Sequence, residues 1–286
     1  MGIKELRQDY HNRICREVLR IRIDSERNDT YPNIADKKNP NSRKIAWGLI
    51  RKLGCHEDQS KLSESAGTLF QKITKDFLEK AFNLLHHLRP GAWHYETESK
   101  ISSFDQYSHL AALEEMIKEN MPLKSALGGN YIITPDIVIS RSPVSEIEIN
   151  SIDKIISTED KFSKLTPLRE SNYNIINSIL HASISCKWTI RSDRAQNTRT
   201  EALNLIRNRK GPLPHVVAVT AEPLPTRLSS LALGTGDLDC VYHFALNELC
   251  EIISEINNID QHEMLNIMIG GRRLRDISDL PFDLAI

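Results

Sequence analysis

The sequence lacks the features that would indicate a membrane protein or a disulfide-rich secreted one. No apolar run in its 286 residues is long enough to span a bilayer, and the first residues do not form a signal peptide. The cysteines are scattered and include no C-x-x-C pair, so neither a disulfide framework nor a zinc site is predicted; they are Cys15, Cys55, Cys186, Cys240 and Cys250. We therefore expect a protein of a reducing cytoplasm that has no membrane partner.

The chain also lacks an overall excess of positive charge, because its formal net charge is -1 at pH 7. This balance argues against a general nucleic-acid coat protein. Locally, the stretch from Ile184 to Leu213 holds seven basic residues against two acidic ones. Such a stretch is typical of a surface that faces DNA, although a solvated helix face has the same composition.

The order of predicted elements favours an α/β fold with a central mixed β-sheet flanked by helices, and with further helices in the N-terminal half. Helices are predicted over 3–23, 64–88 and 193–208, and strands over 131–140, 180–190, 215–220 and 241–244. A chain of 286 residues can bury one large core. We predict a single domain over 1–286, with a helical half over 1–125 and a core that carries the chemistry over 126–286.

The most informative segment is the strand that ends near residue 190, because it places a lysine in the middle of a polar face. Side chains alternate along a strand, so Ser185 and Lys187 share one face while Cys186 packs on the apolar face. A lysine is costly to bury unless it meets an acidic partner. Pro135-Asp136 on a neighbouring strand would complete the form of the PD-(D/E)xK nuclease signature, which is a weak pattern by itself.

That signature has an acid two residues before the lysine, where this chain has Ser185. Another carboxylate must then complete a site for Mg²⁺, and Glu201 is the candidate because its helix follows the strand. The residues between Ser185 and Glu201 include Arg191, Asp193 and Arg194, whose side chains are of the types that recognise guanine and cytosine edges. The structural alternatives are an exposed helix carboxylate for Glu201 and a salt-bridged helix start for the other three.

Several longer motifs follow one another along the chain: Ile133-Thr134-Pro135-Asp136-Ile137, the stretch 180–197, Asn208-Arg209-Lys210-Gly211, Val219-Thr220-Ala221-Glu222-Pro223, Ala232-Leu233-Gly234-Thr235-Gly236, the stretch 239–246 and the stretch 276–281. In this order they closely resemble the NgoMIV family of Type II restriction endonucleases. The resemblance covers nearly the whole chain and is strongest after about residue 130. It implies a restriction-endonuclease-like fold and a bacterial cytoplasmic enzyme. Such an enzyme cuts CCGG-centred palindromes in double-stranded DNA with Mg²⁺ and leaves 5′ overhangs.

The resemblance also implies roles for single residues. Asp136 and Glu201 would bind the metal ion, and Lys187 would position and polarise the attacking water. Ser185 occupies the position from which the acid has moved away. The residues that would recognise the CCGG core are Arg191, Asp193 and Arg194.

Two further positions carry an expectation from the family. Asp36 would accept a hydrogen bond from the outer cytosine, which favours the hexamer GCCGGC, although the loop 37–40 that follows differs from the family's. Gln71 stands where the family has an active-site glutamate. Glutamine keeps one oxygen acceptor but loses the charge, so we expect weaker metal binding, with Glu64 as a candidate replacement carboxylate.

These observations predict a magnesium-dependent Type II restriction endonuclease that cuts GCCGGC after the first G. A palindromic site demands a two-fold symmetric protein, and the resemblance implies a homotetramer built as a dimer of dimers. Two alternatives stay open at this point. One is a site-specific DNA-binding protein whose cleavage is impaired by Gln71, and the other is a repair nuclease without a preference for CCGG.

Overall fold

The computed structural model describes residues 2–120, 122, 133–157, 159–170, 177–190, 192–234 and 236–286, without the side chains of residues 118 and 192–195. The chain begins with helix α1 (Ile3–Glu17), the hairpin of β1 (Ile21–Asp24) and β2 (Asp29–Pro32), and helices α2 (Pro40–Leu53) and α3 (Ala66–Leu84). The helix predicted over 3–23 is wrong beyond residue 17, because residues 21–24 pair with residues 29–32 as an antiparallel ladder.

A six-stranded mixed sheet forms the centre of the molecule, with its strands side by side in chain order. They are β3 (Trp93–Thr97), β4 (Ile137–Arg141), β5 (Ile179–Lys187), β6 (His215–Thr220), β7 (Cys240–His243) and β8 (Leu274–Asp276). β3, β4 and β5 pair antiparallel, whereas β5 to β8 pair parallel. β6 is buried on both faces, as is typical of a parallel strand covered by helices.

Helices occupy the connections between these strands, and a short one follows the last strand. They are α4 (Leu110–Glu119), α5 (Glu146–Ile149), α6 (Ser192–Asn208), α7 (Pro225–Ala232), α8 (Leu246–Ile256), α9 (Ile259–Gly270) and α10 (Leu280–Asp283). α1 packs on α3, α2 packs on α8, and α7 packs on α9. The predicted fold class, a central mixed sheet flanked by helices with helical N-terminal additions, is confirmed.

The start of β4 fixes the position of Asp136. The strand predicted over 131–140 begins only at Ile137, because Pro135 lacks the N–H that a ladder needs. Residues 131 and 132 lie outside the described part of the chain. Ile137 pairs with Ile184 of β5, so Asp136 lies next to the end of β5 that carries Lys187.

The cysteines include a pair that their spacing did not predict. Cys15 of α1 and Cys55, which follows α2, form a disulfide across 40 residues of sequence, so the expectation of no disulfide is wrong for this pair. The thiol of Cys186 is buried, and that burial raises its pKa, which fits a packing role and not a nucleophilic one. Among the described helices, none has the length and apolar character needed to cross a membrane.

Candidate active site

The carboxylate of Asp136 lies at the junction of β4 and β5, where three groups of β5 donate to it. Oδ2 of Asp136 accepts hydrogen bonds from Lys187 Nζ at 3.0 Å and from the backbone N–H of Cys186 at 2.7 Å. The Ser185 hydroxyl is at 3.5 Å from the same oxygen. The structure thus brings together the Pro-Asp and Ser-Cys-Lys parts of the signature, and the lysine has the acidic partner that a half-buried ammonium needs.

Glu201 reaches the same place from α6. This helix folds back along β5, and Ser185 Oγ lies 3.4 Å from Thr198 Oγ1, one turn before Glu201. Burial raises the pKa of Glu201; the Lys187 charge lowers it and the Asp136 charge raises it further. The two carboxylates and the ammonium therefore act on one another electrostatically, as expected for groups that share one site.

Gln71 contacts the site through the backbone of Asp136. It is 8% exposed on α3, and its side-chain amide donates to the carbonyl oxygen of Asp136. Its neighbour Phe70 packs on Trp188, with ring centroids 5.3 Å apart, and this contact fixes α3 against the end of β5. Glu64, the candidate replacement carboxylate, lies before α3 and forms a salt bridge with Lys72 at 2.7 Å.

A cleft of about 1210 Å³ passes over these groups. Its lining contains Asp36, Gln71, Asp136, Lys187 and Glu201. Basic side chains line it as well; they are Arg22, Lys37, Lys38, Arg199 and Arg227. An open, polar and largely basic cleft of this size suits an extended anionic polymer better than a small molecule, whose sites are smaller and mostly apolar.

Asp36 is paired with a residue that the sequence analysis did not single out. Oδ2 of Asp36 forms a salt bridge with the guanidinium of Arg227, near the start of α7. Oδ1 accepts the backbone N–H of Lys38 at 2.9 Å, which shapes the loop that presents Asp36 to the cleft. No motif surrounds Arg227, so only the fold reveals that it faces Asp36.

The three residues predicted to recognise the CCGG core lie outside the described residues, Arg191 entirely and Asp193 and Arg194 in their side chains. Residues 191–194, which we call the recognition segment after their predicted role, lie between residues whose side chains are described, Ile190 and Gln196. Ile190 before it and Gln196 after it both line the cleft. These two flanking residues line the same cleft as Lys187 and Glu201.

The residues of the site fit a magnesium ion. In the described part of the chain no group of three or more His, Cys, Asp or Glu side chains converges on one point. Mg²⁺ needs no such cage, because it keeps several waters and binds through one or two carboxylates. Asp136 and Glu201 supply two carboxylates on the wall of a water-accessible cleft.

The family model described as the NgoMIV restriction enzyme matches residues 10–286. The chain belongs to the NgoMIV restriction enzyme family. The Type II restriction enzyme NgoMIV of Neisseria gonorrhoeae is 47% identical to it over 258 residues, which cover 88% of this chain and 89% of that relative. The predicted family and the predicted enzyme class, a Type II restriction endonuclease, are confirmed.

Two solved structures are similar at low TM-scores. The Type IIF restriction endonuclease Bse634I with cognate DNA has 11% identity and a TM-score of 0.32, covering 87% of this chain and 99% of that chain. A complex of the restriction endonuclease PspGI with substrate DNA has 15% identity and a TM-score of 0.30, covering 92% of this chain and 96% of that chain. Membership of the NgoMIV family rests on the sequence matches and not on these overlaps.

Proposed function

We propose that this NgoMIV-family enzyme hydrolyses both strands of double-stranded DNA at GCCGGC. It cuts after the first G to leave a 5′-CCGG overhang, and it depends on Mg²⁺. The observation that carries the proposal is the contact between Asp136 and Lys187, in a cleft that also contains Glu201. The central CCGG and the cut position come from the family resemblance. We place this activity in the bacterial cytoplasm, where such an enzyme meets DNA.

In this proposal Asp136 and Glu201 hold the Mg²⁺ ion. The bound ion would neutralise charge on the phosphate and lower the pKa of a coordinated water. Lys187 Nζ, which lies 3.0 Å from Asp136, would orient the attacking water and donate to a phosphate oxygen. The hydroxyl of Ser185 and the amide of Gln71 hold the Asp136 side chain and backbone, respectively.

Base recognition is proposed for the recognition segment and for Asp36. Arginine forks onto guanine O6 and N7, and a carboxylate accepts from the cytosine amino group. Arg191 and Arg194 would therefore bind the guanines of CCGG, and Asp193 the cytosines. Asp36, which lines the same cleft, would accept from the outer cytosine after its salt bridge with Arg227 opens.

A two-fold palindrome requires at least a dimer, and we propose a homotetramer. A structural observation supports further association: the described part of the connection between β4 and β5 exposes large apolar side chains. They are Ile147, Ile152, Ile155, Phe162 and Leu165, with exposures between 65% and 91%. Several large apolar side chains exposed in one connection are typical of an interface, and the partner that the proposal names is a second dimer of the same chain.

Digestion of a plasmid that carries two GCCGGC sites tests the proposed function. We expect cuts at GCCGGC that need Mg²⁺ and that are lost in Lys187→Ala. Cuts at another CCGG-centred site would keep the mechanism and contradict the role of Asp36. Specific binding without cleavage would favour the site-specific binding protein. Cutting without preference for CCGG would favour the repair nuclease.

A further inference from the structure

Glu222 is a buried carboxylate that the mechanism above does not use. It lies in the turn after β6, is 1% exposed, and its two oxygens accept from different segments. Oε2 accepts the backbone N–H of Ile190 at 2.9 Å, and Oε1 is 3.3 Å from the backbone N–H of Leu224. Ile190 is the residue before the recognition segment, and Leu224 is the N-cap of α7. The Glu222 side chain therefore joins two elements that line the cleft.

The bond to Ile190 continues the pairing of β5 with β6 beyond the end of the ladder. The last paired residues are Lys187 and Thr220, and the N–H of Ala221 still donates to the carbonyl of Lys187 at 3.2 Å. Past that point β5 leaves the sheet, and the Glu222 carboxylate takes the place of a strand partner at Ile190. The main chain from Lys187 to Ile190 is thus held at both ends by residues 221 and 222.

The bond to Leu224 extends this connection to α7, the helix next to Asp36, which is proposed to bind the outer base pair. α7 begins at Pro225 and carries Arg227, the salt-bridge partner of Asp36. A carboxylate can hold both N–H groups at once because each of its oxygens is an acceptor. In a protonated carboxyl group only the carbonyl oxygen remains a full acceptor. Its hydroxyl would face an N–H group, which is also a donor, so one of the two hydrogen bonds would be lost.

We propose that Glu222, in its ionised form, is the positioning residue that sets the main chain at Ile190 and the start of α7 at a fixed place relative to Lys187. The inference rests on the proposed function, since it concerns discrimination between DNA sites. It predicts that discrimination falls when Glu222 takes up a proton, while the catalytic groups are unchanged.

The surroundings of Glu222 place this proton uptake in an accessible pH range. Burial raises the pKa of Glu222 to about 7, and the negative charge of Asp36 acts in the same direction. The N–H of Ile190 and the positive charge of Arg227 lower this pKa but do not outweigh the effect of burial. His243, whose ring faces the Glu222 backbone, does not titrate in that range, because burial lowers its pKa to about 4. A change in discrimination near neutral pH would therefore report on Glu222.

The test compares wild type with Glu222→Gln, which imitates the protonated acid, and with Glu251→Gln, an exposed control on α8. The measured quantity is the ratio of kcat/KM for GCCGGC to kcat/KM for GCGCGC, at about pH 6 and about pH 8.5, on either side of the pKa. Because both rates come from the same enzyme, pH effects on the chemistry cancel. If wild type cuts another palindrome, that palindrome and its inner-base variant replace the two substrates.

We expect the wild-type ratio to fall roughly tenfold between about pH 8.5 and about pH 6, the effect of losing a charge-assisted hydrogen bond. Glu222→Gln should show the low ratio at both pH values, and Glu251→Gln should follow wild type. A wild-type ratio that stays constant overturns the inference, even where Glu222→Gln fails to fold. Absence of site-specific cutting by wild type at either pH overturns the proposed function itself.

Discussion

The side-chain amide of Gln71 donates a hydrogen bond to the backbone carbonyl of Asp136, which joins helix α3 to the proposed metal-binding aspartate. An ionised glutamate at this position could not donate that bond, although it would add a negative charge beside the site. This chain therefore has a neutral residue that holds the backbone of Asp136, at a position where the family resemblance implies a carboxylate. The two effects can be separated by substitution.

Gln71→Glu should lower the Mg²⁺ concentration that gives half-maximal cleavage by roughly tenfold, because a third carboxylate attracts the ion. Gln71→Leu, which has neither charge nor donor, should raise that concentration and lower kcat. Cleavage of a GCCGGC duplex across a Mg²⁺ titration measures both. If Gln71→Glu needs as much Mg²⁺ as wild type or more, the bond to the Asp136 carbonyl outweighs the missing charge.

Lys187→Ala should lower kcat by about a thousandfold, since a positioned proton donor typically contributes between a hundredfold and ten-thousandfold. DNA affinity should change little, because Lys187 is one of several basic groups that line the cleft. Single-turnover cleavage and a binding titration without Mg²⁺ measure the two quantities, with the exposed Lys61→Ala as a control. A parallel loss of binding and cleavage would contradict the role in chemistry.

Asp36→Ala should relax discrimination at the outer base pair and leave discrimination at CCGG intact. A good contact between a side chain and a base edge is worth about 1–3 kcal/mol of discrimination. Cleavage of four hexamers that differ only in the outer pair measures the change, with Asp260→Ala of α9 as a control. An unchanged preference for GCCGGC would remove Asp36 from base recognition and leave its salt bridge with Arg227 as its role.

The positions of Asp136, Lys187 and Glu201 can be predicted from the sequence because their signals are local. Pro135 marks a strand start, alternation along β5 places Lys187, and Glu201 follows on the next helix. The contacts that the sequence does not predict join distant positions. Arg227 and Asp36 are 191 residues apart, and Cys15 and Cys55 are 40 residues apart. Neither the amino-acid composition nor the hydrophobic periodicity of a sequence predicts such pairs. They form because α1 packs on α2 and because α7 lies beside the N-terminal loop.

The same limit applies to the hairpin of β1 and β2. Residues 21–23 continue the apolar spacing of α1, so the sequence predicts helix there, but pairing with residues 30–32 satisfies their backbone groups as strand. Asp24 at the end of β1 is fully buried. Its charge is compensated there by the ammonium of Lys37, 3.2 Å from Oδ1, and by the guanidinium of Arg43, 3.5 Å from Oδ2. Tertiary contacts, and not the local sequence pattern, therefore determine the secondary structure of this segment.

Aspartate at two exposed apolar positions, Phe162→Asp with Leu165→Asp, should reduce the oligomer from tetramer to dimer. The two side chains are 80% and 91% exposed in the single chain, and a charge on each would oppose burial in an interface. Sedimentation velocity at several protein concentrations measures the size, with Ile259→Asp, 69% exposed on α9, as the matched control. A double variant that stays tetrameric would exclude this connection from the interface.

Burial of Glu222 should cost stability at high pH. Its pKa in the folded protein is about 7 against an ordinary value of 4.5, so the folded protein holds the proton more tightly than the unfolded chain does. Its contribution to the free energy of unfolding is therefore fully present below about pH 4.5 and is lost as the pH rises through about 7, a loss of roughly 3 kcal/mol.

Glu222→Gln removes this dependence, because its amide does not titrate. Urea unfolding of wild type and Glu222→Gln, at about pH 5 and about pH 8, isolates the Glu222 contribution, because all other titrating groups are common to both proteins. The variant should gain stability relative to wild type as the pH rises, even as it loses discrimination between sites. A difference in stability that is the same at both pH values would show that Glu222 titrates normally, and it would withdraw support from the proposed pH dependence of recognition.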